Sequence, residues 1–281
     1  MRTLEDIYNR GKTQLSRFPN PELDAKILLC ESASITIEQF HASPEKKVTK
    51  NQVDLFFHFI KKRLQGFPLA YLTEKKEFWS LVFAVNSEVL IPRPETELVV
   101  EQAISLSPQT GTIADVGTGC GTIAVSLAKE LPKIRVVATD ISKKALEMAL
   151  LNAKTYKLDR IEFYQGSLLA PLRKLKLEDS CDIIVSNPPY VSEEEWEELS
   201  PEITEHEPKK ALVAGQTGLE CIEGLVNQAP TYLKTGGFLI FEFGAGQKEK
   251  VLNIFEHEWV EKRSYNDFYG IPRVMVARKK K

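Results

Sequence analysis

Ala114-Asp115-Val116-Gly117-Thr118-Gly119-Cys120-Gly121-Thr122 reads as the end of an apolar strand, a glycine-rich turn and the first residue of a helix. Glycine allows a tight turn and close approach of a ligand to the backbone, and the helix beyond offers unpaired N–H groups. The spacing is Gly-x-Gly-x-Gly, not the Gly-x-Gly-x-x-Gly of dinucleotide-binding folds, which disfavours a nicotinamide or flavin enzyme. Asp140 ends the next strand about twenty residues later, where a carboxylate accepts both hydroxyls of a ribose. An adenosine-containing ligand is therefore expected, with Asp115 placing negative charge near a cationic one.

Working outward, strands are expected at 112–116, 135–139, 161–164, 181–186, 238–243, 260–264 and 273–277, with helices at 122–131, 142–156 and 219–233. Short apolar strands separated by helices predict a mostly parallel sheet covered on both faces, ending in an antiparallel pair. Upstream the period is helical. Thr3 and Asp6 form a capping-box pattern, Pro21 opens a second helix, a short one covers Ile37 to His41, and a long one runs from Thr49 to the stop at Gly66 and Pro68. Phe78 to Val85 alternates as a two-stranded connector. The expected division is a helical bundle over 1–72, a β-hairpin connector over 73–92 and a catalytic domain over 93–281. The bundle carries no reactive constellation, so its expected role is to recognise a substrate.

The 281 residues are 43% hydrophobic and 27% charged with a net charge of -2, a globular profile that argues against a protein held to nucleic acid by bulk charge. No apolar run reaches the roughly 18 residues a membrane span needs, and the N-terminus lacks a signal peptide pattern. A cytoplasmic monomer with no membrane partner and no direct nucleic-acid partner is expected. Cys30, Cys120, Cys181 and Cys221 are widely spaced and read as reduced thiols. Glu205-His206-Glu207 lacks the second histidine of a zinc-protease motif, so no metal is expected.

A second motif ends the 181–186 strand: Ile184-Val185-Ser186-Asn187-Pro188-Pro189-Tyr190. The prolines stop the strand and stiffen the loop, so an amide and a flat ring are presented at the carboxyl edge of the sheet, where open α/β folds bind ligands. Upstream, Ile91-Pro92-Arg93-Pro94-Glu95-Thr96-Glu97 holds Arg93 between two prolines, where its guanidinium is placed to grip a carboxylate or phosphate. Five glutamates between Glu193 and Glu198 flank Trp196 just after the loop; they read as a solvated helix face or as a rim for a basic partner.

The combination of Asp-x-Gly-x-Gly-x-Gly, the acid at Asp140 and Asn-Pro-Pro-Tyr resembles the class I S-adenosylmethionine-dependent methyltransferases that act on planar nitrogens. Within that group, Ile91 to Glu97, Glu207-Pro208 with Ala211-Leu212, Gly215 and Gly218-Leu219, and the N-terminal bundle resemble the HemK or PrmC family over essentially the whole chain. The resemblance implies a Rossmann-like, seven-stranded α/β methyltransferase domain behind the helical bundle, with S-adenosyl-L-methionine as cofactor. It implies methylation of the glutamine amide nitrogen in the Gly-Gly-Gln motif of class 1 peptide chain release factors. A ribosomal-protein glutamine and adenine N6 of DNA or RNA are the alternatives, since each offers a similar NH2 group.

Carried over by position, Gly117, Thr118, Gly119, Cys120, Gly121, Asp140, Leu168 and Asn187 contact the cofactor. Asn187, Pro188, Pro189 and Tyr190, with Arg93, hold the substrate, and Asn187, Pro188 and Tyr190 serve catalysis. Ser167-Leu168 departs from the acidic-aromatic pair of relatives, which leaves apolar packing and backbone at Leu168. A glutamine amide is a poor nucleophile; the Asn187 side-chain oxygen and the Pro188 carbonyl are expected to accept its two hydrogens and aim the nitrogen, with Tyr190 packed on the amide plane.

Overall fold

The structure, a computed structural model, describes residues 2–281. The chain separates into two compact units, one running to Lys75 and including Ser200–His206, the other made of Lys76–Leu199 and Glu207–Lys281.

The first unit is helical: α1 (Leu4–Gln14), α2 (Pro21–Ala33), α3 (Ile37–Ala42), α4 (Lys50–Leu64) and α5 (Leu69–Thr73). Thr3, Thr36 and Thr49 each close a capping box, with Asp6, Gln39 and Gln52 as the reciprocal partners. The bundle packs around Leu4, Ile7, Leu28, Leu29, Phe56 and Ile60. Gly11 is the point of closest approach: a Cβ there would lie 2.3 Å from the Phe56 ring. Ser200–His206 joins this unit through Glu202, which with Asp24 sandwiches the buried Arg63 guanidinium at 2.9 and 2.8 Å. His206 adds a ring contact to Phe67, with centroids 4.2 Å apart. That segment carries no signal in sequence, because its links to the bundle reach residues more than a hundred positions away.

The second unit is built on seven strands. A hairpin of β1 (Lys75–Phe78) and β2 (Leu81–Ala84) leads to α6 (Glu97–Leu106), and then β3 (Gly111–Val116), α7 (Thr122–Glu130), β4 (Ile134–Asp140), α8 (Lys143–Thr155), β5 (Glu162–Gln165) and β6 (Cys181–Ser186) follow. A small parallel pair, β7 (Val191–Ser192) and β8 (Val213–Gly215), precedes β9 (Leu233–Glu242), β10 (Trp259–Asn266) and β11 (Pro272–Lys279). The sheet order is β10-β11-β9-β6-β3-β4-β5, parallel from β9 to β5 and antiparallel at β11 and β10. Separate apolar clusters cover its two faces, as near-continuous hydrophobic strands require.

The expected β9 starts five residues late. It begins at Leu233 and runs through Gly236 and Gly237, because a register shift against β6 between Cys181 and Ile183 absorbs the glycines as a bulge. Register also decides where the chemistry sits. Val116 pairs with Thr139 on one side and Ser186 on the other, and Ser186 pairs with Phe241, next to Glu242. The chain leaves β3 towards β4 and later returns on the other side as β6, so the carboxyl ends of β3 and β6 flank a topological switch point, the place where such sheets hold ligands.

Candidate active site

The glycine turn is pinned to the neighbouring strand end. Gly117 N and Thr118 N both donate to the Thr139 carbonyl, at 2.8 and 2.9 Å, and Gly119 N donates to Asp140 Oδ2 at 2.9 Å. The other Asp140 oxygen accepts Ser142 N at 2.8 Å, which fixes the carboxylate's plane. Burial raises the Asp140 pKa from its ordinary value, opposed by these backbone donors. Gly117 and Gly119 have φ of +73° and +56°, and a Cβ at either would meet nothing within 4 Å, so the turn faces open space. Gly121 differs: a Cβ there would lie 3.1 Å from the Ala149 backbone, so it sets the approach of α7 to α8.

Behind the turn, Asp115 is fully buried. Its Oδ2 accepts the Thr118 hydroxyl at 2.6 Å and Ala124 N at 3.1 Å, while Oδ1 has no partner among the described residues. Burial pushes this carboxyl up to about 7. Cys120 is buried with its thiol pushed up to about 12, so it is inert, and its carbonyl accepts Asn152 Nδ2 at 2.8 Å. Leu168 stands in the left-handed region, φ +46°, with its carbonyl accepting the Thr139 hydroxyl at 3.3 Å and its side chain lying over Gly224.

At the end of β6, Ser186 Oγ donates to the Val116 carbonyl at 2.6 Å and ties the second loop to the first. Asn187 Nδ2 donates to Thr96 Oγ1 at 2.9 Å, Thr96 Oγ1 donates to Glu242 Oε2 at 2.6 Å, and the Tyr190 hydroxyl donates to Glu242 Oε1 at 2.9 Å. Among the described residues the Asn187 side-chain oxygen and the Pro188 carbonyl keep no partner. Asn187 and Pro188 line a small slot together with Leu90, Pro189, Tyr190 and Leu212. Glu242 is 1% exposed, and burial pushes its carboxyl up to about 7 against the hydrogen bonds of Thr96 and Tyr190. The Tyr190 hydroxyl is raised far above its ordinary range by burial and by Glu242, and stays a donor. Its carbonyl accepts Gln247 Nε2 at 2.8 Å, at the wall of a cleft of about 520 Å³ bounded also by Ser192, Thr217, Leu219 and Lys250.

Residues 94–215 match the methyltransferase small domain model, and residues 6–73 match the PrmC N-terminal domain model. A release factor glutamine methyltransferase of Aliivibrio fischeri is 37% identical over 260 residues, 92% of this chain and 90% of its own. One from Coxiella burnetii is 38% identical over 92% of each. The chain belongs to the release factor glutamine methyltransferase family. A solved methyltransferase from Pyrococcus furiosus shares the fold, with a TM-score of 0.51, 16% identity and coverage of 79% of this chain and 98% of its own.

A methyltransferase of this family takes its methyl group from a donor of the S-adenosylmethionine type, and the residues present fit one: an orphaned buried carboxylate oxygen on Asp115 and two glycines opening onto free space. The geometry brings the glycine turn, Asp140 and Asn187 to one edge of the sheet. The carboxylate that Arg93 grips belongs to this chain. The guanidinium pairs with Glu207 at 2.5 Å, and the other Glu207 oxygen accepts Ile91 N at 3.2 Å. The acidic helix is partly occupied as well: Glu195 closes a capping box on Ser192, and Glu193 pairs with Lys209 at 2.8 Å.

Thr96, Glu242 and Gln247 are site residues that sequence reading missed. Glu242 did leave a signal, a carboxylate inside the apolar run Phe238 to Phe243, where a buried charge needs a reason.

Proposed function

We propose that this methyltransferase transfers the methyl group of S-adenosylmethionine to the side-chain amide nitrogen of the glutamine in the Gly-Gly-Gln motif of class 1 release factors. The observation that carries the reading is the Asn187 amide. Its nitrogen is held by Thr96, which leaves its oxygen free to act, with the Pro188 carbonyl, as one of two acceptors in a loop whose residues line a narrow slot. A primary amide has two hydrogens in one plane, and two acceptors fix that plane and the direction of its nitrogen. Proline contributes a carbonyl without a competing N–H.

When bound, S-adenosylmethionine supplies an electrophilic methyl on a sulfonium. Gly117 to Gly121 and Asp140 would hold it, the Asp140 carboxylate being suited to ribose hydroxyls, while Asp115 would supply opposite charge and Leu168 backbone and apolar contact. Orientation in near-attack geometry contributes roughly 7–11 kcal/mol in favourable cases, which removes the need for a strong base. Tyr190, pinned through its hydroxyl, packs on the amide plane. The adjoining cleft accommodates polypeptide on either side of the glutamine, and the bundle recognises the rest of the release factor, which acts in the cytoplasm.

Labelled methyl transfer from S-adenosylmethionine to intact release factor, ribosomal protein and an oligonucleotide tests this, with the modified residue located by mass spectrometry. Label on the glutamine of Gly-Gly-Gln is expected; label confined to the oligonucleotide or to the ribosomal protein overturns the reading.

A further inference from the structure

Asparagine presents oxygen and nitrogen at the ends of one flat group, and a half-turn of its outer torsion exchanges them. The acceptor role proposed for Asn187, on which the following rests, requires one of these two orientations. Thr96 alone does not choose between them, because a hydroxyl donates to an amide oxygen as readily as it accepts from an amide nitrogen.

The choice is made one residue further back. Glu242 lies at the end of β9, 1% exposed, with the Thr96 hydroxyl on one oxygen at 2.6 Å and the Tyr190 hydroxyl on the other at 2.9 Å. An ionised carboxylate accepts and never donates, so the single Thr96 proton is committed to it. Only lone pairs on Thr96 Oγ1 then face Asn187, and the amide must turn its nitrogen inward and its oxygen to the slot. We propose that Thr96 and Glu242 are positioning residues for methyl transfer: ionised Glu242 orders the proton on Thr96, and Thr96 thereby fixes which end of the Asn187 amide meets the substrate.

The same chain of bonds reverses when Glu242 is protonated. Its acid proton then goes to Thr96 Oγ1, the Thr96 proton turns to Asn187, and the amide flips to show its NH2 to a substrate that also brings NH2. The groups acting on Glu242 are Thr96 and Tyr190 by hydrogen bond, Glu95 by repulsion and Arg273 by attraction; Arg93 and Arg273 act on Tyr190. Burial outweighs them and brings the switch to about pH 7.

The test measures kcat, KM for intact release factor and the dissociation constant for S-adenosylmethionine in the wild type, Thr96→Val, Thr96→Ser and Glu242→Gln, across pH 6 to 9. A loss of aim in the site costs on the order of 10²-fold. The expected result is a drop of that size in kcat for Thr96→Val and Glu242→Gln, cofactor affinity within about threefold, recovery to within a few-fold in Thr96→Ser, and disappearance of the acidic limb in Glu242→Gln. Cofactor binding also reports whether each variant is folded, and neither Thr96→Val nor Glu242→Gln adds bulk, so a loss of kcat in a variant that still binds S-adenosylmethionine reads the hydrogen bonds. Wild-type kcat in Thr96→Val, or Thr96→Ser as impaired as Thr96→Val, overturns the inference. A wild type that methylates something other than the glutamine defeats the functional reading instead, so the two failures are told apart.

Discussion

The Tyr190 hydroxyl donates to Glu242 Oε1 at 2.9 Å, so the aromatic ring of the substrate loop is anchored to a buried carboxylate 52 positions away in the chain. This bond stabilises the charged form of Glu242. Tyr190→Phe keeps the ring and deletes the donor, so the Glu242 pKa rises further. The acidic limb of the kcat profile should move upward from about pH 7, with kcat falling least at high pH. A limb that stays in place would separate Glu242 from the titration.

Glu242 also leaves a mark on stability. Its folded pKa is raised from 4.5 to about 7, so the folded state holds the proton more tightly than the unfolded chain. Its contribution is fully present below about 4.5 and is lost as pH rises towards 7, an effect of at most ~3 kcal/mol. Glu242→Gln removes the titration. The Tm of the wild type relative to Glu242→Gln is therefore expected to fall between pH 4.5 and 7 and to be level above, as measured by calorimetry.

Asp115 predicts a pH dependence of binding. Its orphaned Oδ1 needs the ionised form to attract a cation, and its carboxyl sits at about 7. Affinity for S-adenosylmethionine should rise with pH through this range and then flatten, whereas S-adenosylhomocysteine, which lacks the sulfonium charge, should respond more weakly. Asp115→Asn should remove the difference. Equal pH profiles for the two ligands in the wild type, by titration calorimetry, would count against a charge role.

The glycines of the turn are separable by experiment. Gly119→Ala places its methyl in open space at φ +56°, a strain of roughly 1–2 kcal/mol, and intrudes where the cofactor is proposed to lie. Gly121→Ala is forced against the Ala149 backbone at 3.1 Å as well as into φ +87°. The first should lose cofactor affinity more than Tm; the second should lose Tm more. Thermal melts with and without S-adenosylmethionine distinguish the two.

The sequence is legible where the physics is local. The turn at Gly117 to Gly121, the strand stop at Asn187, the capping box at Thr3 and the helix start at Thr49 follow from backbone rules that act over a few residues. The buried charge of Glu242 was legible, but its bond to Thr96 spans 146 positions and that of Thr96 to Asn187 spans 91, so the network was out of reach. Arg93 shows the same limit. Its rigid frame was evident, but its partner, Glu207, lies 114 positions downstream, beyond the reach of any local rule.

Asn187→Ala is the most direct measurement of the central claim. It removes the acceptor beside Pro188 while leaving the glycine turn and Asp140 in place. Single-turnover methyl transfer to intact release factor should fall by ~10²-fold or more, with the dissociation constant for S-adenosylmethionine changed much less. Turnover at the wild-type rate in Asn187→Ala would contradict the claim that this amide aims the substrate nitrogen.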